Sequence, residues 1–467
     1  MARVIFLQRI WHEYGGPEII SAVLKKHGHT VDLFIDKDPD ALLGKILPND
    51  IVAFSTMTGE HHWALEAASR IKDKINILTV FGGPHPTYFP EIINHPAVDI
   101  ACCGEGESAM LDLANARDKG TDFSDIPNLL VKRGNRVKRN EVRPLVDDLD
   151  SLPFPDRGIY YKYRILAKSP LKTFMASRGC PFSCSFCFNE KLSSIYANKG
   201  RYVRFRSPRS LISEIKEIES KYGIRSIYFV DDLFVLDARW LKEFASVYKE
   251  EIKKPFVCSA NVNTLDERVI KLLKDSGCSA VSFGIETGNE KLRNALLNKR
   301  ITNSRIEEIG GLLKRYRLKS MVFNMVGLPG ETTEDVLETI RLNTKIGVEY
   351  PRCSILTPYP GTRIAEYLKE KIRVGDIYST YQQLKISFEV PNPRELYNLH
   401  CFFQTAVIFP RSLWLIKRLI KFPPNTLFRL WWVIIYFYVF VRSETRSPFQ
   451  TLAAAFKTFG FAFKERT

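Results

Sequence analysis

The sequence lacks several features that would place a protein in a broad class at once. Its 467 residues contain no low-complexity tract and no repeat at the period of a solenoid. After Arg3 the N-terminus has an apolar run of only four residues, too short for a signal peptide, so we expect no export. The apolar run at residues 430–441 has 12 residues, whereas a membrane-spanning helix needs about 20. That run therefore predicts either a buried helix or an interfacial one.

Paired cysteines and acidic residues are also in short supply. The nine cysteines are odd in number and six are scattered, which argues against a disulfide framework and predicts a reducing cytoplasm. The net charge of +16 is compatible with nucleic acid, anionic lipid or an acidic substrate as a partner. Residues 391–467 hold 11 Lys and Arg against 3 Asp and Glu, about half of the excess.

The first 125 residues alternate between apolar, β-branched runs and helical patterns. That alternation predicts an α/β domain with a mostly parallel, doubly wound, Rossmann-like sheet. Such sheets bind ligands at the carboxyl ends of their strands. Turns rich in Gly or small hydroxyl residues follow the predicted strands at 15–16, 55–59, 82–87 and 104–107. Because these residues let a backbone approach a ligand closely, they predict a large flat ligand across the sheet edge.

The strand–helix pattern restarts near residue 171 and gives six units, enough for a partial (β/α)6 barrel. After about residue 375 the pattern becomes helical, basic and aromatic. We divide the chain into an N-terminal domain (1–140), a proline-punctuated linker (141–170), the barrel (171–375) and a mainly helical C-terminal region (376–467).

Three cysteines, Cys180, Cys184 and Cys187, follow the first barrel strand with the spacing C-x3-C-x2-C. Three thiolates can hold three corners of a four-iron, four-sulfur cluster and leave one iron open, as catalytic metal sites do. A zinc site with a distant fourth ligand and three unrelated thiols are the alternatives. Arg204 and Arg206, further along, either meet a carboxylate or lie on a surface strand.

This spacing at this place in a partial barrel resembles the radical SAM superfamily. The resemblance continues at later strand ends, with YFVDD (228–232), FGIETG (283–288), MVGLPGET (325–332) and PYPGT (358–362). It implies a 4Fe-4S cluster on the three cysteines, with S-adenosylmethionine (SAM) on the open iron as the source of a 5′-deoxyadenosyl radical. It also implies four SAM-binding residues: Asp231 and Asp232 near the amino group, Glu286 at the ribose hydroxyls, and Gly327.

A doubly wound domain before such a barrel resembles the cobalamin-binding, class B methyltransferase-like group of that superfamily. The resemblance implies a cobalamin between the sheet edge and the barrel mouth, contacted by Thr56, Gly82, Gly83, Pro84, His85, Gly104, Glu105 and Gly106. His12 and Gly15 match part of the D-x-H-x-x-G motif that supplies a histidine to cobalt. Ile10 replaces the acidic residue of that motif, which argues against His12 as a cobalt ligand.

The resemblance implies a cobalamin-dependent radical SAM methyltransferase that acts on an unactivated carbon or a phosphorus centre. The main alternative is cobalamin radical chemistry without methyl transfer, as in the anaerobic cyclase of chlorophyll synthesis. A methylthio-transferring tRNA enzyme would need three more cluster cysteines in the N-terminal domain, and a basic adaptor protein would not need intact cluster cysteines. No catalytic residue is predicted beyond the cofactor-binding ones.

We also expect particular partners and a location. The basic, aromatic segment 406–446 predicts peripheral contact with the inner face of the membrane, and with it a lipid-like or other small substrate. Otherwise the segment forms a helical domain closing the barrel mouth. We expect a reductant such as flavodoxin or ferredoxin, no nucleic acid, and a cytoplasmic location.

Overall fold

The fold is that of a computed structural model, which describes residues 1–369, 386 and 388–443. The end of the predicted barrel (to 375), parts of the region 376–467 and the end of the segment 406–446 lie outside the described residues. The strands are β1 (Arg3–Gln8), β2 (Thr30–Ile35), β3 (Ile51–Ser55), β4 (Leu78–Gly82), β5 (Ile100–Cys102), β6 (Leu129–Arg133), β7 (Arg136–Arg139), β8 (Leu171–Phe174), β9 (Ser177–Arg178), β10 (Arg204–Phe205), β11 (Ser226–Phe229), β12 (Phe256–Ser259), β13 (Cys278–Glu286), β14 (Lys319–Val326) and β15 (Tyr350–Ile355).

Helices alternate with most of these strands and continue alone at the C-terminal end. They are α1 (Gly15–Lys26), α2 (His61–Lys72), α3 (Pro84–Tyr88), α4 (Glu107–Lys119), α5 (Gly158–Tyr161), α6 (Arg164–Ala167), α7 (Phe188–Ile195), α8 (Pro208–Tyr222), α9 (Ala238–Glu251), α10 (Glu267–Asp275), α11 (Asn303–Arg315), α12 (Thr333–Ile346), α13 (Arg363–Tyr367), α14 (Pro393–Ile408), α15 (Leu413–Leu419) and α16 (Thr426–Ser443). A single π-helical turn, Leu292–Leu296, follows β13.

The N-terminal domain is a seven-stranded sheet with the order β2-β1-β3-β4-β5-β6-β7. Strands β1 to β5 are parallel, and the hairpin β6–β7 adds an antiparallel edge. Helices cover both faces, so alternate residues of one strand enter different cores: Val4 packs towards α1 and α4, and Ile5 packs towards α2. The doubly wound sheet is confirmed, and the strand order reverses between β1 and β3, where such folds bind ligands.

The second sheet has six parallel strands in the order β15-β14-β13-β12-β11-β8, with α8 to α12 between them in the chain. Six strands curl into part of a barrel and leave its side open, which confirms the predicted partial (β/α)6 architecture. Strands β9 and β10 form a separate antiparallel pair beside β8.

The C-terminal helices pack on the last barrel strand. Helix α14 is buried along most of its length and contacts both α12 and β15. Helix α16 contacts α14 and β15 but buries only Ile435 and Val439 fully. The mainly helical C-terminal region is thus confirmed for the described residues, and it is attached to the barrel rather than separate from it.

Arg157, in the predicted linker, joins the two sheets through a buried ion-pair network. Its guanidinium donates to the Thr173 carbonyl at 2.6 Å and to the Glu214 carboxylate at 3.0 Å, both in the barrel. It also lies 3.5 Å from the Glu13 carboxylate of the N-terminal domain. Burial raises the pKa of the neighbouring Glu18 carboxyl to about 8. The linker is therefore part of the core and not a flexible tether.

We expect Arg157→Leu to lower the free energy of unfolding by about 3–5 kcal/mol, because it removes the cation beside Glu13 and Glu18 and one of the two cations of the buried Glu214. Urea denaturation followed by circular dichroism measures the change. Arg201→Gln is the matched control: the Arg201–Asp147 pair has side chains 76% and 64% exposed, so its loss should cost less than about 1 kcal/mol. Equal shifts of the two midpoints would contradict a structural role for the buried network.

Candidate functional site

The three cysteines lie on the loop between β9 and α7, at the carboxyl end of the first barrel strand. Their thiols are partly exposed and belong to no disulfide. Burial, with smaller contributions from Asp232, Cys187 and Cys184, raises the pKa of Cys180 to about 11. The three thiols are therefore close enough to affect one another electrostatically.

The loop is fixed by partners from two distant segments. Ser185 donates its backbone N–H to Leu297 at 3.1 Å and accepts from the Ile364 N–H at 2.9 Å. Asn298 donates to the Ser183 carbonyl at 2.8 Å. At Gly179, φ is +87° and a Cβ would lie 2.4 Å from the Tyr202 carbonyl oxygen, so only glycine fits. The loop is therefore held in place by the π-helical turn and by the segment after β15.

The donor set fits a cluster better than a single ion. Among residues 1–369 and 388–443 no three His, Cys, Asp or Glu side chains converge tightly enough to hold one metal ion. Three thiols on one loop match the three protein ligands of a four-iron cube with one open corner. A zinc site would need a fourth ligand, and no such converged set of donors lies in the described residues.

The two aspartates at the end of β11 have different surroundings. Asp231 is buried and accepts from the Ala176 N–H at 3.0 Å and from the Ser177 hydroxyl, so its carboxylate braces the strand before the cysteines. Burial raises the pKa of Asp231 to about 6. Asp232 is exposed to the cleft beside the cysteines, where desolvation also raises its pKa. The geometry favours Asp232 over Asp231 as a partner for an ammonium group.

Glu286 ends β13 in a strained backbone conformation, with φ at +68°. Its carboxylate forms a buried ion pair with the Lys299 ammonium at 2.8 Å. Burial lowers the pKa of Lys299, but the Glu286 carboxylate, together with Cys184 and Cys187, outweighs that effect, and the pKa is raised. A Cβ at Gly284 would lie 1.8 Å from the Glu286 carboxylate, so that glycine makes the room it occupies. The site thus holds Glu286 as a preoriented carboxylate.

Lys299 also lies near the cluster loop. Burial raises the pKa of Cys184 and of Cys187. The positive charge of Lys299 acts in the opposite direction on both thiols, and the net shift is upward. One ammonium therefore acts on the predicted ribose-binding carboxylate and on two predicted cluster ligands.

Gly327 ends β14 in a loop held by a buried acid. Its φ is +82°, and its N–H donates to the Glu331 carboxyl at 2.6 Å; the Leu328 N–H donates to the same oxygen at 3.1 Å. Burial raises the pKa of Glu331 to about 8. Glu331 is a positioning residue for this loop.

A cavity of about 490 Å³ lies between the edge of the N-terminal sheet and the mouth of the barrel. The N-terminal domain contributes Gly15 and Gly16, and the barrel contributes Thr173 to Met175. Of the predicted cobalamin residues, five line this cavity: Gly82, Gly83, Gly104, Glu105 and Gly106. The glycine-rich turns therefore meet at one edge, as the sequence predicts.

Thr56, Pro84 and His85 lie beside this cavity but do not line it. The Thr56 N–H donates to Gly82 at 2.8 Å and the His85 N–H donates to Thr56 at 2.9 Å, so the two turns are bonded to each other. His85 is buried and its ring stacks on His61 at 3.7 Å, and burial lowers the pKa of His85 to about 4. His12 is exposed and lines the cavity.

Glu105 has partners other than a ligand. Its carboxylate pairs with Arg178 at 2.8 Å and with Arg204 at 2.8 Å, and desolvation of Glu105 is outweighed so that its pKa is lowered. Arg206 pairs with Glu214. Arg204 and Arg206 therefore both pair with carboxylates of the protein itself. The predicted cobalamin contact of Glu105 therefore uses its backbone, or a carboxylate lone pair that the two arginines do not use.

Comparison with known proteins decides the family. The model of the radical SAM superfamily matches residues 175–342, and the model of the B12 binding domain matches residues 7–114. A protein of Pyrococcus horikoshii, described as an uncharacterized methyltransferase, is 32% identical over 323 residues, which cover 68% of this chain and 69% of that protein. The chain belongs to the cobalamin-binding group of the radical SAM superfamily. It is a radical SAM enzyme.

Two further relatives mark the range of that group. The anaerobic magnesium-protoporphyrin IX monomethyl ester cyclase of Cereibacter sphaeroides is 27% identical over 416 residues, 81% of this chain and 65% of that protein. The radical SAM methyltransferase TsrM of Kitasatospora setae, solved with cobalamin and a [4Fe-4S] cluster bound, has a TM-score of 0.66 at 18% identity, over 79% of this chain and 78% of that one. At that identity the likeness shows a shared fold.

Some site residues of this radical SAM enzyme have no signal in the sequence. Lys299 follows Glu286 by 13 positions in an irregular turn, and no periodic pattern links them. Tyr88 of the N-terminal domain stacks on Phe188 of the cluster loop region at 4.1 Å, a contact that only the assembled fold creates. Arg178 lies two residues before Cys180, so the sequence shows its place beside the cysteine motif. Its carboxylate partners, Glu105 and Glu107, cannot be read from the sequence.

We expect Lys299→Met to weaken SAM binding by about 10- to 100-fold, because the Glu286 carboxylate loses the ion pair that orients it. It should also lower the reduction potential of the reconstituted cluster, because a cation near the cluster stabilises the added electron. Equilibrium dialysis and an EPR-monitored redox titration measure the two effects.

Gly284→Ala separates geometry from charge. It displaces the Glu286 carboxylate and crowds the Lys299 Nζ, which would lie 2.8 Å from the added Cβ, but it keeps both charges in the site. SAM binding should therefore weaken, while the potential should change less than in Lys299→Met. Lys291→Met, on the exposed side of the same segment, should change neither quantity. An unchanged potential in Lys299→Met would rule out the electrostatic role.

Proposed function

We propose that this enzyme is a cobalamin-dependent methyltransferase that acts on an unactivated carbon or a phosphorus centre of a small, lipid-like substrate. The observation that carries the proposal is the shared cavity: glycine turns of the B12 binding domain and the first strand of the radical SAM barrel line the same space. When bound, the cluster, SAM and cobalamin supply an electron, a radical and a methyl group.

The protein's own contribution is binding, orientation and exclusion of water. Cys180, Cys184 and Cys187 hold the cluster and leave one corner open. Asp232 attracts the SAM ammonium, with Asp231 bracing the loop behind it, and Glu286 accepts hydrogen bonds from ribose hydroxyls. The loop at Gly327, fixed by Glu331, completes the SAM pocket.

The N-terminal turns place the second cofactor. The backbone at Gly82, Gly83, Gly104 and Gly106 approaches the cobalamin closely because those residues carry no Cβ. Thr56, Pro84 and His85 support the same turns from behind, and Glu105 lines the cavity with its carboxylate held by Arg178 and Arg204. We assign no protein ligand to cobalt. A flavodoxin or ferredoxin is the proposed reductant, and nucleic acid is not a proposed partner.

The second candidate is cobalamin radical chemistry without methyl transfer, which the similarity to the anaerobic cyclase supports. The two candidates differ in what happens to SAM. Methyl transfer converts one SAM to S-adenosylhomocysteine and cleaves another to 5′-deoxyadenosine, whereas cyclase-type chemistry gives only the latter.

We expect anaerobically reconstituted enzyme with cobalamin, SAM and a chemical reductant to form both S-adenosylhomocysteine and 5′-deoxyadenosine, measured by liquid chromatography and mass spectrometry. The triple variant Cys180→Ala, Cys184→Ala, Cys187→Ala should lose the bound iron and stop forming 5′-deoxyadenosine. If the intact enzyme forms 5′-deoxyadenosine but no S-adenosylhomocysteine at any cobalamin loading, methyl transfer is wrong and the cyclase-type candidate takes its place.

The proposed location is the cytoplasm, at the inner face of the membrane. Nine of the sixteen exposed large hydrophobic side chains in the described chain lie on the C-terminal helices or on the turns between them. We call them the C-terminal apolar face: Phe409, Trp414, Leu415, Phe422, Leu427, Leu430, Trp431, Ile434 and Tyr438. Residues 396–443 contain six Lys and Arg and no Asp or Glu, and none of the six has an acidic partner in the described residues. An apolar face with basic residues and no acidic ones suits an anionic lipid surface.

Helix α16 has the length and composition of a membrane span, which alone is weak support. Its exposed residues at 427, 430, 431, 434 and 438 form one stripe, and the opposite stripe packs on the protein through Ile435 and Val439. A helix attached along one side to a folded barrel suits the interface better than the bilayer interior.

We expect the double variant Leu430→Glu, Ile434→Glu to lose co-sedimentation with vesicles containing phosphatidylglycerol. Both side chains are exposed, at 47% and 60%, so the fold should tolerate the change. Leu47→Glu, equally exposed on the N-terminal domain, is the control and should sediment like the wild type. Deleting the whole region is less informative because α14 is buried. Binding by the double variant at the wild-type level would rule out membrane contact through this face.

A further inference from the structure

The inward surface of the barrel is apolar at the level of the predicted SAM site. Alternate residues of a strand face the barrel interior, and on β14 these include Met321 and Phe323. Phe323 is 41% exposed although it lies in a central strand. It pairs with Gly284 on one side, where the Glu286 carboxylate folds back, and with Arg352 on the other. A molecule resting on Phe323 would therefore lie next to Glu286.

Helix α16 closes the lower part of this interior. Val439 packs with Val257, Ala280, Met321 and Tyr350, the inward residues of four successive strands. Val230 and Met175, near the carboxyl ends of the first strands, remain 47% and 39% exposed on the inward side. The interior thus has an apolar floor and an apolar wall on which Phe323, Val230 and Met175 stay exposed.

Arg352 is a cation set into that apolar wall. Its guanidinium lies 5.2 Å from the Tyr436 ring and 5.4 Å from the Phe440 ring, both on α16. One nitrogen, Nη2, donates to the Ser443 hydroxyl at 2.8 Å, and the buried Nη1 has no hydrogen-bond partner. No carboxylate pairs with this guanidinium in the part of the chain that the structure describes.

A half-buried guanidinium without a counter-ion is costly unless something else supplies the negative charge. Arginine binds carboxylates and phosphates through two parallel N–H donors, and aromatic stacking holds its plane in place beforehand. The rings of Tyr436 and Phe440 fix the guanidinium here, and its Nη1 keeps a hydrogen-bonding capacity that no described group fills. The arrangement is that of an anion-binding residue.

We propose that Arg352 binds an anionic group of the substrate, a phosphate or a carboxylate, while the apolar body of the substrate lies across Phe323. The inference rests on the proposed function, because it names the substrate class for that site: an anionic amphiphile. Helix α16 fits this role from both sides, since one stripe carries the rings that hold Arg352 and the other belongs to the C-terminal apolar face.

The test measures binding, not turnover, so that it is independent of methyl transfer. Full-length reconstituted enzyme is titrated calorimetrically with dodecyl phosphate, dodecanoate and dodecanol, each below its aggregation threshold. Wild-type enzyme should bind at least one of the two anions at 1:1 stoichiometry and about 10-fold or more tighter than dodecanol. The preferred anion identifies the head group.

Substitutions then locate the anion. Arg352→Met should weaken binding of the preferred anion by about 10- to 100-fold and change dodecanol binding less than about two-fold. Arg352→Lys should retain part of the preference. Phe323→Ala should weaken all three probes alike, because it removes apolar contact area. Arg418→Met, an exposed cation stacked on Trp414, is the matched control and should change nothing.

Two results would overturn the proposal. The first is wild-type enzyme binding dodecanol as tightly as both anions. The second is Arg352→Met, or Arg352→Lys if the Met variant misfolds, keeping the full preference for the anion. Formation of S-adenosylhomocysteine without any anion preference would leave the methyltransferase intact and remove only this inference. Anion binding without formation of S-adenosylhomocysteine would support the role of Arg352 and contradict methyl transfer.

Discussion

The site depends on the ion pairs that hold the edge of the N-terminal sheet against the mouth of the barrel. Glu105 and Glu107, at the start of α4, receive the guanidinium of Arg178, which lies two residues before Cys180. Arg204, on the strand paired with β9, reaches the same Glu105. The predicted cluster loop is therefore anchored to the cobalamin-binding domain at its root, and the cavity between the two sheets has a fixed width.

Other buried carboxyl groups act in the same way. Each is held by hydrogen-bond donors or a cation, and these contacts also fix a loop of the site. Asp231 fixes the strand before the cysteines, and Glu331 fixes the turn at Gly327. Glu286 is held by Lys299, which also acts on the cysteines. A site that binds three cofactors at fixed relative positions needs rigid loops, and the hydrogen bonds to these carboxyl groups make the loops rigid.

The order and type of the elements were predictable because parallel strands covered on both faces are almost continuous apolar runs. The boundaries of elements were less predictable: β15 begins at Tyr350, and its pairing to β14 continues through Pro351, which interrupts the apolar pattern in the sequence. Cys180, Cys184, Cys187 and the glycine turns could be found because their chemistry is local. The partners of Glu105 and Arg352 could not, since each joins segments far apart in sequence that only the folded chain brings together. Lys299 is only 13 positions from Glu286, but the irregular turn between them has no pattern that links the two.

Gly104 illustrates how tightly the two domains are matched. Its φ is +78°, and a Cβ there would lie 1.9 Å from the hydroxyl of Tyr196, which follows α7 after the cluster loop and accepts a hydrogen bond from the Glu105 N–H at 2.7 Å. No single substitution at position 104 can be accommodated while Tyr196 stays in place. We therefore expect residues 104 and 196 to change together, or not at all, among proteins that keep this fold.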